Sequence, residues 1–315
     1  MIKDTIGVDI SKDHLDAHRM SDGAARRFAN DTAGHSAFID WLGQAGPTHD
    51  IRVVYEPTGP YHRAFERQVD RAGAALVKVN PRQARRFAEA TGKLAKTDRA
   101  DAAMLARMGA ILELEVRSVR GPLLNDLKDL HMAREALIKN RTAARNRAKN
   151  LTLAILKRHN AEQLRQIERQ IIAIEREIML IIKHDPDLAG RFDILVSIPG
   201  VSTVTAFALL IDMPELGTLE QGQAASLAGL APVARQSGTW TGRAFIRGGR
   251  ANVRHALYMP ALVAMRFNPD LKAKYDQLKA AGKAPKVAIT AIMRKLIVLA
   301  NALLSKGRKW VPSLP

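Results

Sequence analysis

Four carboxylates are the residues of this 315-residue chain whose types and spacing could do chemistry. Asp9 ends one apolar run and Glu56 ends another, and both runs have the composition of β-strands. Asp98 and Asp101 lie three positions apart at the start of a helical stretch, so both can face one side of that helix. Such a set can bind two divalent cations about 4 Å apart, which stabilise the attacking and leaving oxygens of a phosphodiester. The four acids therefore predict phosphoryl-transfer chemistry on a nucleic acid.

A serine in a glycine-rich basic segment, residues 235–250, is the second chemical candidate. Ser237 would store a cleaved phosphodiester as a phosphoserine ester that a strand hydroxyl can later reverse. Taken alone, a serine in such a loop more often only hydrogen-bonds phosphate, so both readings stay open. Glycine lets the backbone approach a polyanion, and arginine binds phosphate oxygens in a bidentate manner. The candidate nucleic-acid contacts of the segment are Arg235, Trp240, Arg243, Arg247 and Arg250.

The elements that must position the acids alternate between strands and helices in the first third of the chain. Hydrophobic patterns predict strands near 5–10, 15–20, 26–29, 51–55 and 75–79, and helices near 35–42, 62–72, 81–90 and 99–110. Three strands, then a helix, strand, helix, strand and helices, is the element order of the ribonuclease H-like fold. In that fold, acids at the ends of the first and fourth strands converge with acids from a later helix. We therefore predict an α/β catalytic domain over 1–118.

The middle of the chain, 119–185, is predicted to be entirely helical. Its apolar positions from Leu164 to Ile181 step by three and four residues, which is a heptad seam. This favours an antiparallel hairpin, with a turn at His159–Asn160, whose seam also pairs with another subunit. A hairpin packed only within its own chain is the open alternative. Its first helix supplies further candidate nucleic-acid contacts, namely Lys139, Arg141, Arg145, Arg147 and Lys149.

The last segment, 186–315, is predicted to be a mainly α-helical domain. Ile198-Pro199-Gly200-Val201 matches the turn of a helix-hairpin-helix element. Gly200 would then expose backbone N–H groups at a helix N-terminus, which bind phosphate. An ordinary turn between two helices fits this short motif equally well.

Composition restricts the partners. A formal charge of +18 indicates a polyphosphate partner, because cationic side chains displace the counterions condensed on nucleic acid. The chain has no cysteine, which excludes disulfides and thiolate metal sites. We find no signal peptide and no uncharged apolar run of membrane-spanning length. A cytoplasmic, nucleoid-associated bacterial protein with no membrane partner is therefore expected.

The chain resembles the transposases of the insertion-sequence 110 family, the DEDD-type recombinases guided by a bridge RNA. The first half of the resemblance rests on Gly7-Val8-Asp9-Ile10-Ser11-Lys12, Tyr55-Glu56-Pro57-Thr58-Gly59 and Lys96-Thr97-Asp98-Arg99-Ala100-Asp101. The second half rests on Ile198-Pro199-Gly200-Val201, Ala228-Gly229-Leu230-Ala231-Pro232, Ser237-Gly238, Asn252–Tyr258 and Gly282–Ala288. Each motif alone is weak, and their order and joint presence are specific.

The resemblance implies a RuvC-like domain whose Asp9, Glu56, Asp98 and Asp101 bind two Mg²⁺ ions. It also implies a coiled coil, and a C-terminal transposase domain in which Ser237 is the nucleophile. The implied partners are target and donor DNA, a non-coding bridge RNA, and further copies of the chain in a dimer or tetramer. One departure is Ile246–Asn252, where the family often has Lys-X-Gly-Asn after the Ser-Gly loop.

Two rival functions remain open from the residues. A metal-dependent RuvC-like nuclease or junction resolvase would use the four acids and give the bond to water, with Ser237 only positioning phosphate. A non-enzymatic nucleic-acid organiser would explain the charge and the helices, but it leaves Asp9 and Glu56 as repulsive carboxylates on a phosphate-binding surface.

Overall fold

A computed structural model of the chain describes residues 2–92, 97–116 and 121–312. The chain divides into two compact units, Met1–Arg120 and Gly121–Pro315. Lys96 and the expected boundary at residue 118 lie outside the described residues. The division of the second unit into a hairpin domain and a transposase domain stays a prediction.

A five-stranded sheet is the centre of the first unit. Its strands are β1 (Asp4–Ile10), β2 (His14–Arg19), β3 (Ala25–Ala29), β4 (Ile51–Tyr55) and β5 (Ala75–Lys78). They lie in the order β3-β2-β1-β4-β5, with antiparallel pairing from β3 to β1 and parallel pairing from β1 to β5. β1 and β4 are buried along nearly their whole length, and their apolar residues Ile6, Val8, Val53 and Val54 are 0% exposed. The predicted α/β architecture of this unit is confirmed.

Helices cover both faces of this sheet. They are α1 (Thr32–Gly43), α2 (His62–Arg71), α3 (Pro81–Ala90) and α4 (Asp98–Ile111), with a 3₁₀ turn at Thr48–Asp50. On one face, Phe38 of α1 and Phe65 of α2 meet edge to face with ring centroids 5.1 Å apart. On the other face, α4 crosses β1 so closely that a Cβ on Gly7 would overlap the backbone of Ala102 and Ala106. Gly7 therefore lets α4 lie directly against the strand that ends near Asp9.

Two long antiparallel helices begin the second unit, α5 (Pro122–Ala148) and α6 (Ala154–His184). The predicted seam is largely buried between them and the core, with Ile167, Ile171 and Ile178 at most 5% exposed. The predicted turn at His159–Asn160 is wrong, because both residues lie inside α6 and the chain turns at 149–153. Asn160 is buried and its side-chain amide donates to the Ala144 carbonyl at 3.2 Å. This bond across the hairpin gives the Asn160 amide donor a partner within the helical pair, so the residue does not need to lie in a turn.

The remaining helices pack around one apolar core. They are α7 (Pro186–Val196), α8 (Thr203–Asp212), α9 (Gln221–Leu227), α10 (Ala251–Phe267), α11 (Pro269–Ala280) and α12 (Pro285–Ser305). Four two-residue strands precede α10, namely β6 (Pro232–Val233), β7 (Gln236–Ser237), β8 (Trp240–Thr241) and β9 (Phe245–Ile246). α12 is long and apolar enough to span a membrane by composition, yet Ile292, Leu296 and Ala300 are at most 1% exposed in this core. Such burial is typical of the central helix of a packed domain. The prediction that this region is mainly α-helical is confirmed.

Candidate active site

The four predicted acids lie on one cleft of the first unit. β1 and β4 run parallel with Val8 opposite Tyr55, so Asp9 and Glu56 follow at the same edge of the sheet. α4 begins beside this edge with Asp98 and Asp101 in its first turn. A cleft of about 610 Å³ is lined by all four carboxylates, together with Lys12, Arg85 and Glu89. Residues from three separate elements are thus brought together by the fold.

The start of α4 is fixed by Thr97. Its hydroxyl oxygen accepts a hydrogen bond from the Ala100 N–H at 3.3 Å, so Thr97 is the N-cap and Asp98 is already helical. Acidic side chains in the first turn also interact favourably with the positive end of the helix dipole. Thr97, and not Asp98, therefore caps α4, and both Asp98 and Asp101 line the cleft.

The carboxylates of this cleft repel one another. Burial, followed by the charges of Asp98, Asp101, Glu56 and Asp16, raises the pKa of Asp9 from 3.8 to about 6. Asp16 is itself held by Arg27, whose Nε and Nη2 donate at 3.0 Å to its two oxygens. Arg27 Nη2 also lies 3.7 Å from Asp98 Oδ2. In the described parts of the chain no three acidic or histidine side chains already stand in a metal-binding group.

Asn30 joins the loops that follow β1 and β4, and sequence reasoning missed it. Its side-chain amide donates to the Ser11 carbonyl at 2.8 Å and to the Tyr61 carbonyl at 3.2 Å. Its oxygen faces Nε2 of buried His35 at 2.8 Å, which makes that nitrogen the donor. Burial lowers the pKa of His35, so the imidazole stays neutral. The only sequence signal was an Asn-Asp pair before a helix, which predicts a cap but no bridge.

A second missed cluster lies behind β4. The Tyr55 hydroxyl donates to Glu66, whose carboxylate also pairs with Lys78. Lys78 Nζ lies 3.0 Å from His62 Nε2. Burial and the neighbouring Glu66 charge raise the pKa of Tyr55, so the phenol remains protonated and keeps donating. This cluster fixes the end of the strand that Glu56 follows.

Ser237 belongs to the second unit, at the end of a small hairpin. β7 and β8 pair antiparallel, with Ser237 directly opposite Trp240, and residues 238 and 239 form the turn. Gly238 has a φ of +56°, as the first central residue of a type II′ turn requires. Residues 232–241 are all exposed to solvent. The hydroxyl is therefore presented on a surface loop.

The arginines of this segment have different surroundings. Arg243 and Arg247 are exposed, and Arg235 lies over the Phe245 ring at 5.4 Å from its centroid. Arg250 instead donates to both carboxylate oxygens of Glu215, at 2.7 and 2.8 Å, and to the Asp212 carbonyl at 2.7 Å. Three of these four cations are open to solvent, while Arg250 is engaged at the base of the segment.

The other predicted contacts are placed on α5 and at the turn before α8. Lys139, Lys149 and Arg145 are exposed, although Arg145 pairs with Glu168 at 2.8 Å across the hairpin. Arg147 is exposed and donates to Gln163 at 3.3 Å, and Arg141 is partly buried. Gly200 has a φ of +99°, and a Cβ there would lie 2.7 Å from the Pro260 carbonyl oxygen. The positive φ and the close packing against α10 together account for this glycine.

Comparison with known proteins gives two adjoining family matches. Residues 6–170 match a transposase family described as DEDD_Tnp_IS110, and residues 192–276 match the transposase IS116/IS110/IS902 family. The pilin gene-inverting protein of Moraxella bovis is 28% identical over 324 residues, covering 98% of each chain. The uncharacterized 43.6 kDa protein of insertion element IS110 from Streptomyces coelicolor is 31% identical over 167 residues, covering 52% of this chain and 40% of its own.

Proposed function

The chain belongs to the IS110 family of transposases, and from this premise we propose that it cuts and rejoins DNA through a phosphoserine at Ser237, guided by a bridge RNA encoded with the element. The convergence of Asp9, Glu56, Asp98 and Asp101 on one cleft supports this proposal most directly. The pilin gene-inverting relative is named for a rearrangement in which strands are both cut and rejoined. Rejoining requires that the energy of the cleaved phosphodiester is kept in a covalent intermediate such as a phosphoserine, whereas hydrolysis by water would lose it.

A RuvC-like, ribonuclease H-type identity of the first unit is part of the proposal. The strand order β3-β2-β1-β4-β5, antiparallel in its first three strands and parallel in the rest, supports it. So does the position of the acids after β1, after β4 and on the later helix α4. Two Mg²⁺ ions would be held by these four carboxylates. When bound, they would supply charge for the attacking and leaving oxygens.

The donor chemistry of the cleft fits Mg²⁺. Carboxylate oxygens are the ligands that this hard cation prefers, and repulsion already raises the pKa of Asp9 to about 6. A cation bound among the four carboxylates would relieve that repulsion. Since Asp98 is 60% exposed, its side chain has room to turn inward onto an ion.

Ser237 would perform the covalent step. Its Oγ loses the hydroxyl proton and forms a bond to phosphorus, while the bond to the 3′-oxygen breaks and that oxygen gains a proton. Attack by a 3′-hydroxyl of another strand reverses the step and releases the serine. Arg243 and Arg247 would neutralise the phosphate in both directions, because they are exposed beside the hairpin. Arg235, Trp240 and the basic residues of α5 are the further proposed nucleic-acid contacts. Arg250, bound to Glu215, and Gly200, packed against α10, would instead support the segment and the turn that carry such contacts.

Assembly is proposed to complete the active site. The acids belong to the first unit and Ser237 to the second, so one reaction needs both. Dimers or tetramers formed through the α5–α6 hairpin, acting on bacterial DNA in the cytoplasm, would combine acids of one chain with the serine of another. The three-domain division at 118 and 185 belongs to this proposal.

The test is a cleavage reaction with Mg²⁺, the transcript of the element and matched DNA, followed by a denaturing protein gel. Wild type is compared with Ser237→Ala, Asp9→Asn and the matched control Thr239→Ala, which removes a neighbouring hydroxyl of the same hairpin. We expect a DNA-linked protein band in wild type and Thr239→Ala, and none in the other two. Cleavage without a linked band, surviving in Ser237→Ala, would instead establish a water-using nuclease.

A further inference from the structure

One face of the Ser237 hairpin combines a hydroxyl, an indole and a guanidinium. Ser237 and Trp240 are direct partners across the ladder, and two residues further along the Gly242 N–H donates to the Arg235 carbonyl at 2.8 Å. Partners across a ladder and residues two apart on a strand share a face. Arg235, Ser237 and Trp240 therefore project on the same side, with Gly242 as the fourth position.

The indole of Trp240 packs against Gly242. Its φ is not positive, so no turn requires glycine there. A Cβ at Gly242 would overlap the outer ring atoms of Trp240, which shows that the indole lies along the strand over this residue. The outer edge of the ring is thus held against Gly242, while Trp240 as a whole remains 58% exposed. An exposed aromatic ring held in one position is a platform on which a base can stack.

The surroundings of the platform indicate what stacks on it. Arg235 is held over Phe245 at 5.4 Å, and Arg243 and Arg247 are exposed nearby in the chain. From residue 221 onwards, Asp270 and Asp276 are the only acidic residues of the sequence. A cationic surface around an exposed indole favours a ligand that is both flat and anionic, which describes a nucleotide.

We propose that Trp240 stacks on the base adjoining the phosphate that Ser237 attacks, and so holds that base out of the DNA stack. Directly opposite residues of an antiparallel pair have Cα atoms about 4.5–5.5 Å apart, which is within the reach of one nucleotide. A phosphate at Ser237 then places its own base or the adjacent one against the indole. This inference rests on the proposed role of Ser237 and adds a nucleobase subsite to it.

Stacking can be measured without cleavage. Full-length Ser237→Ala protein is titrated into a 12-nucleotide single-stranded DNA with one central 2-aminopurine, whose fluorescence falls when it stacks on an aromatic ring. We expect quenching that Trp240→Phe retains in part and Trp240→Ala loses, with binding weakened about 5- to 150-fold in the alanine variant. Quenching and affinity unchanged in Trp240→Ala would overturn the inference.

Gly242→Ala provides a second variant that keeps the indole but displaces it. We expect it to reduce quenching as Trp240→Ala does, whereas Gly222→Ala, where an added Cβ meets nothing within 4 Å, serves as its comparison. Circular dichroism checks that each variant is folded. Normal quenching in a folded Gly242→Ala protein would contradict the supported-ring geometry.

An abasic substrate separates this inference from the proposed function. Once the cleaved bond is mapped, the adjoining base is removed and the rate of adduct formation is measured with wild type and Trp240→Ala. We expect the Trp240→Ala defect to disappear on the abasic DNA, as coupled partners require. A defect of equal size on both substrates would overturn the stacking subsite and leave Ser237 as nucleophile. Quenching by Trp240 without any Ser237-dependent adduct would instead support the stacking subsite and overturn the role of Ser237 as nucleophile.

Discussion

Asp9 is the carboxylate of the first unit on which burial and several neighbouring negative charges act together. Its carboxylate is partly buried and faces the charges of Asp98, Asp101, Glu56 and Asp16. A carboxyl whose pKa rises from 3.8 to about 6 on folding lowers the stability of the folded state once it ionises. This penalty is absent below pH 3.8, grows as the pH rises towards 6, and is complete above it.

Asp9→Asn should therefore stabilise the metal-free protein at high pH. We expect a gain of about 1–3 kcal/mol at pH 8 and none at pH 3.5, because a shift of one pKa unit corresponds to about 1.4 kcal/mol. Thermal unfolding in EDTA across this range measures it. Asp22→Asn is the matched control of opposite sign, since the Ala24 N–H lowers the pKa of Asp22. A loss of stability in Asp9→Asn at pH 8 would contradict the repulsion.

Mg²⁺ should relieve the same repulsion in the wild-type protein. A ligand that binds only the folded state stabilises it in proportion to the logarithm of its concentration over the dissociation constant. We expect Mg²⁺ to raise the unfolding temperature at pH 8, and to do so less at pH 5, where protons compete for Asp9. Asp9→Asn should lose most of the shift. An equal Mg²⁺ effect in wild type and variant would place the ion elsewhere.

At the scale of elements, the serine segment is anchored at its base. Gly229 and Gly249 both have positive φ, and a Cβ on Gly249 would overlap the backbone of Gly229. Arg250 ties this crossing to Glu215 and to the Asp212 carbonyl, while the Asp212 carboxylate pairs with Lys128 of α5. The base of the hairpin that holds Ser237 is thus connected to the long helix α5.

Two arginines of the segment should therefore behave differently when mutated. Arg247→Gln is expected to weaken DNA binding and reduce its salt slope by about 1, because it removes an exposed phosphate contact. Arg250→Gln and Glu215→Gln are expected to accelerate trypsin cleavage after Arg243, since they release the anchor, with little change in the salt slope. Salt titrations and timed proteolysis measure the two effects. If Arg250→Gln lowered the salt slope of DNA binding by about 1 and did not accelerate trypsin cleavage, Arg250 would bind DNA directly.

At the scale of the whole molecule, chemistry is divided between two units. The acids lie within Met1–Arg120 and Ser237 lies within Gly121–Pro315. If sites combine residues from different subunits, Asp9→Asn and Ser237→Ala proteins should complement each other when mixed. We expect strand exchange to reappear in mixtures and to peak near equal amounts. The double variant Asp9→Asn/Ser237→Ala, mixed with either single variant, is the control, and no recovery at any ratio would favour sites within one chain.

Local sequence determined the elements and the identity of the acids. Each strand and helix of the first unit has its own hydrophobic period, so its position could be predicted from neighbouring residues. Asp9, Glu56, Asp98 and Asp101 stood out because carboxylates after two strands and at the start of a later helix can meet at one edge of a sheet. The buried seam of α6 could likewise be predicted, but the turn was misplaced, because the Asn160 side-chain amide bonds the Ala144 carbonyl across the hairpin.

Only the tertiary structure decided which polar residues serve the site from a distance. Asn30 bonds Ser11 and Tyr61, and Arg250 bonds Glu215, through contacts between residues far apart in the chain. Such partners leave no periodic signal, because a hydrogen bond depends on the positions of two atoms and not on spacing within one segment. For the same physical reason, the sequence marked Gly242 as one more loop glycine, and the structure showed that the Trp240 ring requires it.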